Sequence, residues 1–160
     1  MRVLMVGDVV GKPGRRAVGR LVPGLRKELG LDLVIANGEN TAGGRGLTLS
    51  TAAELFSAGV DVLTSGNHIW DQKEIISHLE GEMPIIRPFN YPPGNPGRGY
   101  LVWNDTLILN LIGRIFLGNF DCPFRAFNSV LEQVDPLPRR IIVDFHAEAT
   151  SEKVAFGWYA

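Results

Sequence analysis

Residues 60–68 read VDVLTSGNH: an apolar run that closes on Ser65-Gly66-Asn67-His68. A short run of this kind, bounded by a glycine, reads as a buried strand. What sets it apart is its end, where an amide and an imidazole stand side by side. Similar runs occur at residues 2–6 (RVLMV), 33–36 (LVIA) and 139–145 (RRIIVDF). All four are read as buried strands. Between the first three lie stretches of helical spacing. Residues 14–29 carry Ala17, Val18, Leu21, Val22 and Leu25, with a kink or break expected at Pro23. Residues 50–58 open on Ser50 as a cap and close before Gly59. Residues 71–79 read as a short helix with Asp71 as N-cap and Glu74 completing a capping box. Strand–helix–strand alternation predicts an α/β fold with a parallel sheet.

The texture changes after residue 87. Residues 88–100 hold four prolines and form a structured loop, with Gly97 and Gly99 expected at turns. Residues 99–103 and 106–112 read as a hairpin around Asn104-Asp105. Residues 124–131 read as a helix, so the later part of the chain is expected to be mixed or antiparallel.

Ligands of parallel sheets bind beyond the carboxyl ends of the strands. Here those ends carry Gly7-Asp8, Asn37-Gly38-Glu39-Asn40, Gly66-Asn67-His68 and Asp144-Phe145-His146-Ala147-Glu148. Four strands are thus expected to bring carboxylate, amide or imidazole to one edge. Each residue alone has a plain explanation as a turn former, a solvated loop residue or an ion-paired structural group. Together they form a set of oxygen and nitrogen donors suited to Mn, Fe or Zn. Glu39 sits mid-set and is placed to bridge two metals about 3.5–4 Å apart, a device for displacement at phosphorus. Gly7, Gly38 and Gly66 precede Asp8, Glu39 and Asn67, and are read as supplying backbone freedom there. His78, inside a predicted helix, is read as a surface residue.

Composition excludes several classes. Sixteen Lys and Arg against seventeen Asp and Glu give a net charge of −1. A protein that grips nucleic acid electrostatically needs a basic surplus. The single cysteine, Cys122, rules out an intrachain disulfide and a cysteine-based zinc site, and is read as a small hydrophobic side chain. GDVVGK at 7–12 imitates a phosphate-binding loop. It has three residues between its glycines where four are needed, and Pro13 follows the lysine. Lys12, Arg15 and Arg16 remain as local positive charge or as solvated residues at a helix start. No run approaches the length of a membrane span, and a cytoplasmic protein is expected.

Five motifs, GDVVGKPGR, NGENTAGGRG, TSGNHIWDQKE, RPFNYPPGNPGRG and DFHAEATSEK, occur in this order. As a set they resemble the YmdB-like branch of the calcineurin-like metallophosphoesterases. The resemblance covers essentially the whole chain. It implies a four-layer α/β/β/α sandwich and a bacterial phosphodiesterase acting on 2′,3′-cyclic nucleotides and other phosphodiesters. It also implies a dinuclear centre of two divalent or mixed-valence ions, Fe or Mn, and a metal-bridging hydroxide as nucleophile. Carried over by position, Asp8 ligates the first metal, Glu39 bridges, Asn67 and His146 ligate the second, and Asn40 is a further ligand or an outer partner. His68 is then the general acid for the leaving oxygen, not a ligand.

The wider superfamily usually has Asp-x-His at the first strand; here Val9 and Val10 follow Asp8, and Glu39 stands where a bridging Asp is common. The YmdB-like branch shares both changes. Its members continue past this point and supply two further histidines in a Gly-x-His-x-His-type motif. On that reading, residues 1–160 are the N-terminal and central part of one metallophosphoesterase domain, with its C-terminal portion missing. Weak metal binding by the isolated chain and an exposed sheet edge open to homo-oligomerisation are then expected. The expected partner is a small nucleotide or phosphodiester, with no membrane and no stable nucleic-acid complex. The alternatives are an inactive or truncated nucleotide-binding paralogue, and a plain interaction domain whose polar strand ends only form turns.

Overall fold

A computed structural model describes residues 1–160. The chain forms two compact units, Met1–Ile85 and Ile86–Ala160. The first holds a three-stranded parallel sheet of β1 (Val3–Val6), β2 (Leu33–Asn37) and β3 (Val62–Thr64), with β2 in the middle. Helix α1 (Gly11–Leu29) links β1 to β2, and α2 (Leu49–Ser57) links β2 to β3. Every residue of β2 is buried, as a strand flanked on both edges of a parallel sheet requires. Val34 and Ala36 on one face of β2 pack in a core with Val18 and Val22 of α1 and with Ala52 and Leu55 of α2.

Several sequence readings are corrected by the structure. β1 is the edge of its sheet and alternates between exposed and half-buried; Met5 is 47% exposed, so this strand is not buried. Helix α1 starts earlier than expected and continues through Pro23. The proline forfeits one backbone bond, and buried Val18 and Val22 anchor the turns around it. Helix α2 is capped by Thr48, not Ser50. The Thr48 hydroxyl accepts from the Thr51 N–H at 3.2 Å, and Thr51 Oγ1 accepts from the Thr48 N–H at 3.0 Å. The predicted helix at 71–79 is a 3₁₀ segment, Lys73–His78, preceded by Gln72. Its Glu74 closes no capping box and instead accepts from the Leu49 N–H at 3.1 Å, at the start of α2. His78 ends this segment half-buried.

The second unit is a mixed sheet of β4 (Tyr100–Trp103), β5 (Thr106–Ile112) and β6 (Arg140–His146). β4 and β5 form the expected antiparallel hairpin, with Asn104 in the left-handed region at its turn, φ 51°. β5 and β6 are parallel, joined by α3 (Pro123–Gln133). β5 is central and wholly buried, whereas β6 is an edge strand with exposed and half-buried residues, against the buried strand expected. Gly97 sits at a turn as predicted, φ 92°. Gly99 lies at a bend too, but it is buried and without positive φ, and a methyl group there would lie 2.5 Å from Phe89 Cβ, so close approach is what requires glycine. A fourth helix, α4 (Thr150–Tyr159), was not foreseen. Its Phe156 gathers Phe145, Phe127 and Phe124, with ring centroids 4.6, 5.6 and 5.7 Å away. No helix is long and apolar enough to cross a membrane.

The cap assignment is directly testable. Thr48→Ala should lower stability by about 1 kcal/mol in urea denaturation, whereas Ser50→Ala should cost less than about 0.5 kcal/mol. Equal losses from both would contradict the cap seen here.

Candidate active site

Three of the four polar strand ends belong to the first unit. β1, β2 and β3 run parallel, so Asp8, Glu39–Asn40 and Asn67–His68 follow the same edge of one sheet. The fourth strand, β6, lies in the other sheet, which corrects the expectation of a single four-strand edge. His146 ends β6 opposite Ile112 of β5, half-buried, and its carbonyl accepts from the Gly113 N–H at 2.8 Å.

The turn after β2 is built by its own polar groups. Asn37 Oδ1 accepts from the Glu39 N–H at 3.2 Å, and the Gly38 N–H donates to the Thr64 carbonyl at 3.0 Å, tying the ends of β2 and β3 together. Gly7 and Gly38 are not among the glycines with positive φ. The freedom ascribed to them is therefore not used, and a methyl group at Gly38 would make only ordinary van der Waals contact with Leu63 and Leu47, at 3.4 and 3.5 Å. Glu39 is 1% exposed. A carboxylate at such depth needs donors or a counter-charge, and the His68 N–H supplies one donor, to Oε2 at 3.1 Å. Asn40 Nδ2 donates to Asp8 Oδ1 at 2.9 Å, while Asn40 Oδ1 is buried with no hydrogen-bond partner.

His68 is held from both sides of its ring. Nδ1 lies 2.9 Å from Asp71 Oδ2, and Nε2 lies 3.3 Å from Asn67 Nδ2. Arg45 Nη2 stands 3.3 Å from the same Nδ1, and its Nε lies 3.3 Å from Asp71 Oδ2. Nδ1 cannot both donate to Asp71 and accept from Arg45. In the neutral ring the shorter contact to a carboxylate places the proton on Nδ1, which leaves Nε2 as the acceptor facing Asn67. Sequence reasoning missed Asp71 and Arg45. The sequence reads Asp71 as a helix cap; its signal as a partner is its place three residues after His68.

The loop that carries Arg45 is pinned. Gly46 has φ 81°, and a methyl group there would lie 2.5 Å from Gln72 Cγ and 3.1 Å from Gln72 N. Only glycine lets this loop approach the segment of Asp71. Arg15 donates to the Thr41 carbonyl and pairs with Glu54, so it ties α1 to the loop and to α2 and is not a solvated residue.

The donor set suits a hard cation: Asp8 and Glu39 carboxylates with Asn40 and Asn67 amides. The orphaned Asn40 Oδ1 beside Asp8 is an acceptor that a cation would satisfy. Asn67 uses Nδ2 toward His68, the atom that ligation through its oxygen would leave available. No group of three or more His, Cys, Asp and Glu side chains gathers at metal-binding range.

The chain is 44% identical over 99% of its length to the 2′,3′-cyclic-nucleotide 2′-phosphodiesterase of Bacillus subtilis, covering 62% of that protein. It is 38% identical over 98% of its length to a putative phosphatase/phosphodiesterase of Mycoplasma genitalium, covering 58% of it. The chain thus spans less than two thirds of the length of these relatives. A crystal structure of a hypothetical protein from Thermus thermophilus matches with a TM-score of 0.92 at 47% identity, over 99% of this chain and 63% of that one. A novel phosphatase from Mycoplasma pneumoniae matches with a TM-score of 0.88 at 35% identity, over 98% of this chain and 59% of that one. Residues 4–160 match the family model of the YmdB-like proteins, and the chain belongs to that family.

Proposed function

We propose that this chain acts as a metal-dependent phosphodiesterase on phosphodiesters such as 2′,3′-cyclic nucleotides, its two units being parts of one metallophosphoesterase domain. The observation that carries the reading is the run of partners across three parallel strand ends: Asp8 with Asn40, Glu39 with the His68 backbone, and His68 with Asp71. The name of the Bacillus subtilis relative supplies the substrate class.

Asp8, Glu39, Asn40 and Asn67 would hold the metal ions, with Fe or Mn favoured by the oxygen and nitrogen donors. His146, in the second unit, is assigned as a further ligand on the family resemblance alone. Bound divalent ions would supply water activation and polarisation of the phosphoryl oxygen. The remaining work falls to His68. In its charged form both ring nitrogens carry protons; Nδ1 stays on Asp71, and Nε2 delivers its proton to the departing oxygen. The neutral ring then has an acceptor at Nε2, the form in which the Asn67 Nδ2 contact is favourable. Asp71 orients the ring by fixing which nitrogen keeps its proton, and Arg45 holds Asp71.

The decisive experiment is Mn-dependent hydrolysis of a chromogenic phosphodiester and of a 2′,3′-cyclic nucleotide, with metal content measured alongside. Glu39→Ala should lose metal and turnover together. His68→Ala should keep its metal and lose roughly 10²- to 10⁴-fold in kcat, the range for a general acid. Parallel loss of metal in His68→Ala would contradict the acid role. For Asp71→Asn the expected loss is smaller, roughly 10- to 100-fold, as for outer partners that orient a functional histidine. An Asp71→Asn protein with unchanged kcat would remove Asp71 from the mechanism. Nucleotide binding without turnover, in the presence of Mn or Fe(II), would replace the hydrolase reading by that of a binding paralogue.

A further inference from the structure

The second unit contains a cleft of about 580 Å³ that none of the proposed site residues lines. That volume lies within the range of small-molecule sites, about 300–1,000 Å³. Its wall includes Arg87, Tyr91, Asp121, Cys122, Arg125 and Ser129. Arg87 is half-buried, and its guanidinium donates only to backbone carbonyls: Pro88 at 2.7 Å, and Phe89, Asn95 and Pro96 at 3.3 Å. Those bonds order the proline-rich loop but bring no negative charge. Burial accordingly pushes the Arg87 pKa down, with the nearby Tyr91 acting in the opposite direction. Arg125 is exposed in the first turn of α3, and its side chain forms no hydrogen bond or ion pair. That helix begins without a side-chain cap on its N-terminal N–H groups and without an acid in its first turn. The acid in the wall, Asp121, is exposed, so water screens it while the half-buried arginine is screened less.

We propose that this cleft binds an aromatic organic phosphate of mononucleotide size. The phosphate would pair with Arg125 at the uncapped start of α3, in the field of Arg87, and the planar ring would lie along the wall at Tyr91. The chemistry on each side is ordinary: arginine and a helix N-terminus favour phosphate, and an aromatic wall favours a flat ring. This is a binding site, independent of whether the strand-end cluster hydrolyses anything.

Cys122 makes the test simple, because it is the only cysteine in the chain and stands in the cleft wall, half-buried. Its alkylation by N-ethylmaleimide is followed by mass spectrometry, with EDTA present, against added adenosine 5′-monophosphate. At about ten times its Kd the ligand leaves roughly one tenth of the protein free, so alkylation should slow about tenfold. Adenosine without its phosphate should protect far less, and R125Q should abolish protection while the far-ultraviolet circular dichroism stays the same. An unchanged rate at about 10 mM, ten times a millimolar Kd, would overturn the proposal, as would equal protection of R125Q. Protection by inorganic phosphate equal to that by the nucleotide would overturn the aromatic half of it. If Cys122 is unreactive in the free protein, equilibrium dialysis of labelled adenosine monophosphate against wild type and R125Q decides the question instead: binding that depends on Arg125 supports the site, and its absence overturns it.

Discussion

A carboxylate buried at the end of a buried strand is the constraint around which the first unit is organised. Glu39 is reached through Leu33–Asn37, every residue of which is buried, and is itself 1% exposed. Leaving such a group without donors costs several kcal/mol. The local structure answers with backbone. The His68 N–H comes from the end of β3 to meet Oε2, and the same junction carries the Gly38–Thr64 bond. The residue that donates to Glu39 through its main chain is therefore the residue whose side chain we propose as the general acid. Placing the carboxylate fixes the position of the imidazole.

A second tier fixes the ring itself. Asp71 faces Nδ1, Arg45 faces Asp71, and Gly46 allows the loop of Arg45 to meet Gln72 without a Cβ in the way. Arg15 anchors the start of that loop, its guanidinium divided between the Thr41 carbonyl and Glu54. Ion pairs as exposed as Arg45–Asp71 add little to stability, so what they contribute here is the direction of a carboxylate. The glycines in NGENTAGGRG matter for the same geometric reason. Those with positive φ are Gly43, Gly44 and Gly46, after the acidic residue, and not Gly38 before it.

Much of this was legible in the sequence because it follows from periodicity and from chain order. Short apolar runs separated by helical spacing give a parallel sheet, and a parallel sheet says which ends of its strands to inspect. The strand-end residues Asp8, Glu39, Asn40, Asn67 and His68 follow from that alone. What could not be read depends on three-dimensional neighbours. RVLMV and RRIIVDF are read as buried strands like LVIA, yet β1 and β6 are edges, because burial is set by strand order and not by composition. Asp71 and Glu74 satisfy a local capping pattern, but each found another partner, His68 for one and the start of α2 for the other. Helix α4 buries essentially Phe156 alone, so it presents no apolar stripe from which a helix could be read.

Two asparagines show how structural and functional polarity differ in this protein. Asn90, 2% exposed in the second unit, accepts from the Ile112 N–H and donates to the carbonyls of Ile112 and Asp121, all at 2.8 Å. Each end of its amide is used, and all its partners are backbone atoms that the fold already fixes. Such a residue is a fastener, and nothing is left over for a ligand. Asn40 spends its nitrogen on Asp8 and leaves a buried oxygen with no partner. Burying an acceptor unsatisfied costs about 1–3 kcal/mol, a cost that a bound partner would remove. Set beside a carboxylate on one side and a buried glutamate next in the chain, that oxygen is the acceptor that the proposed function assigns to a cation.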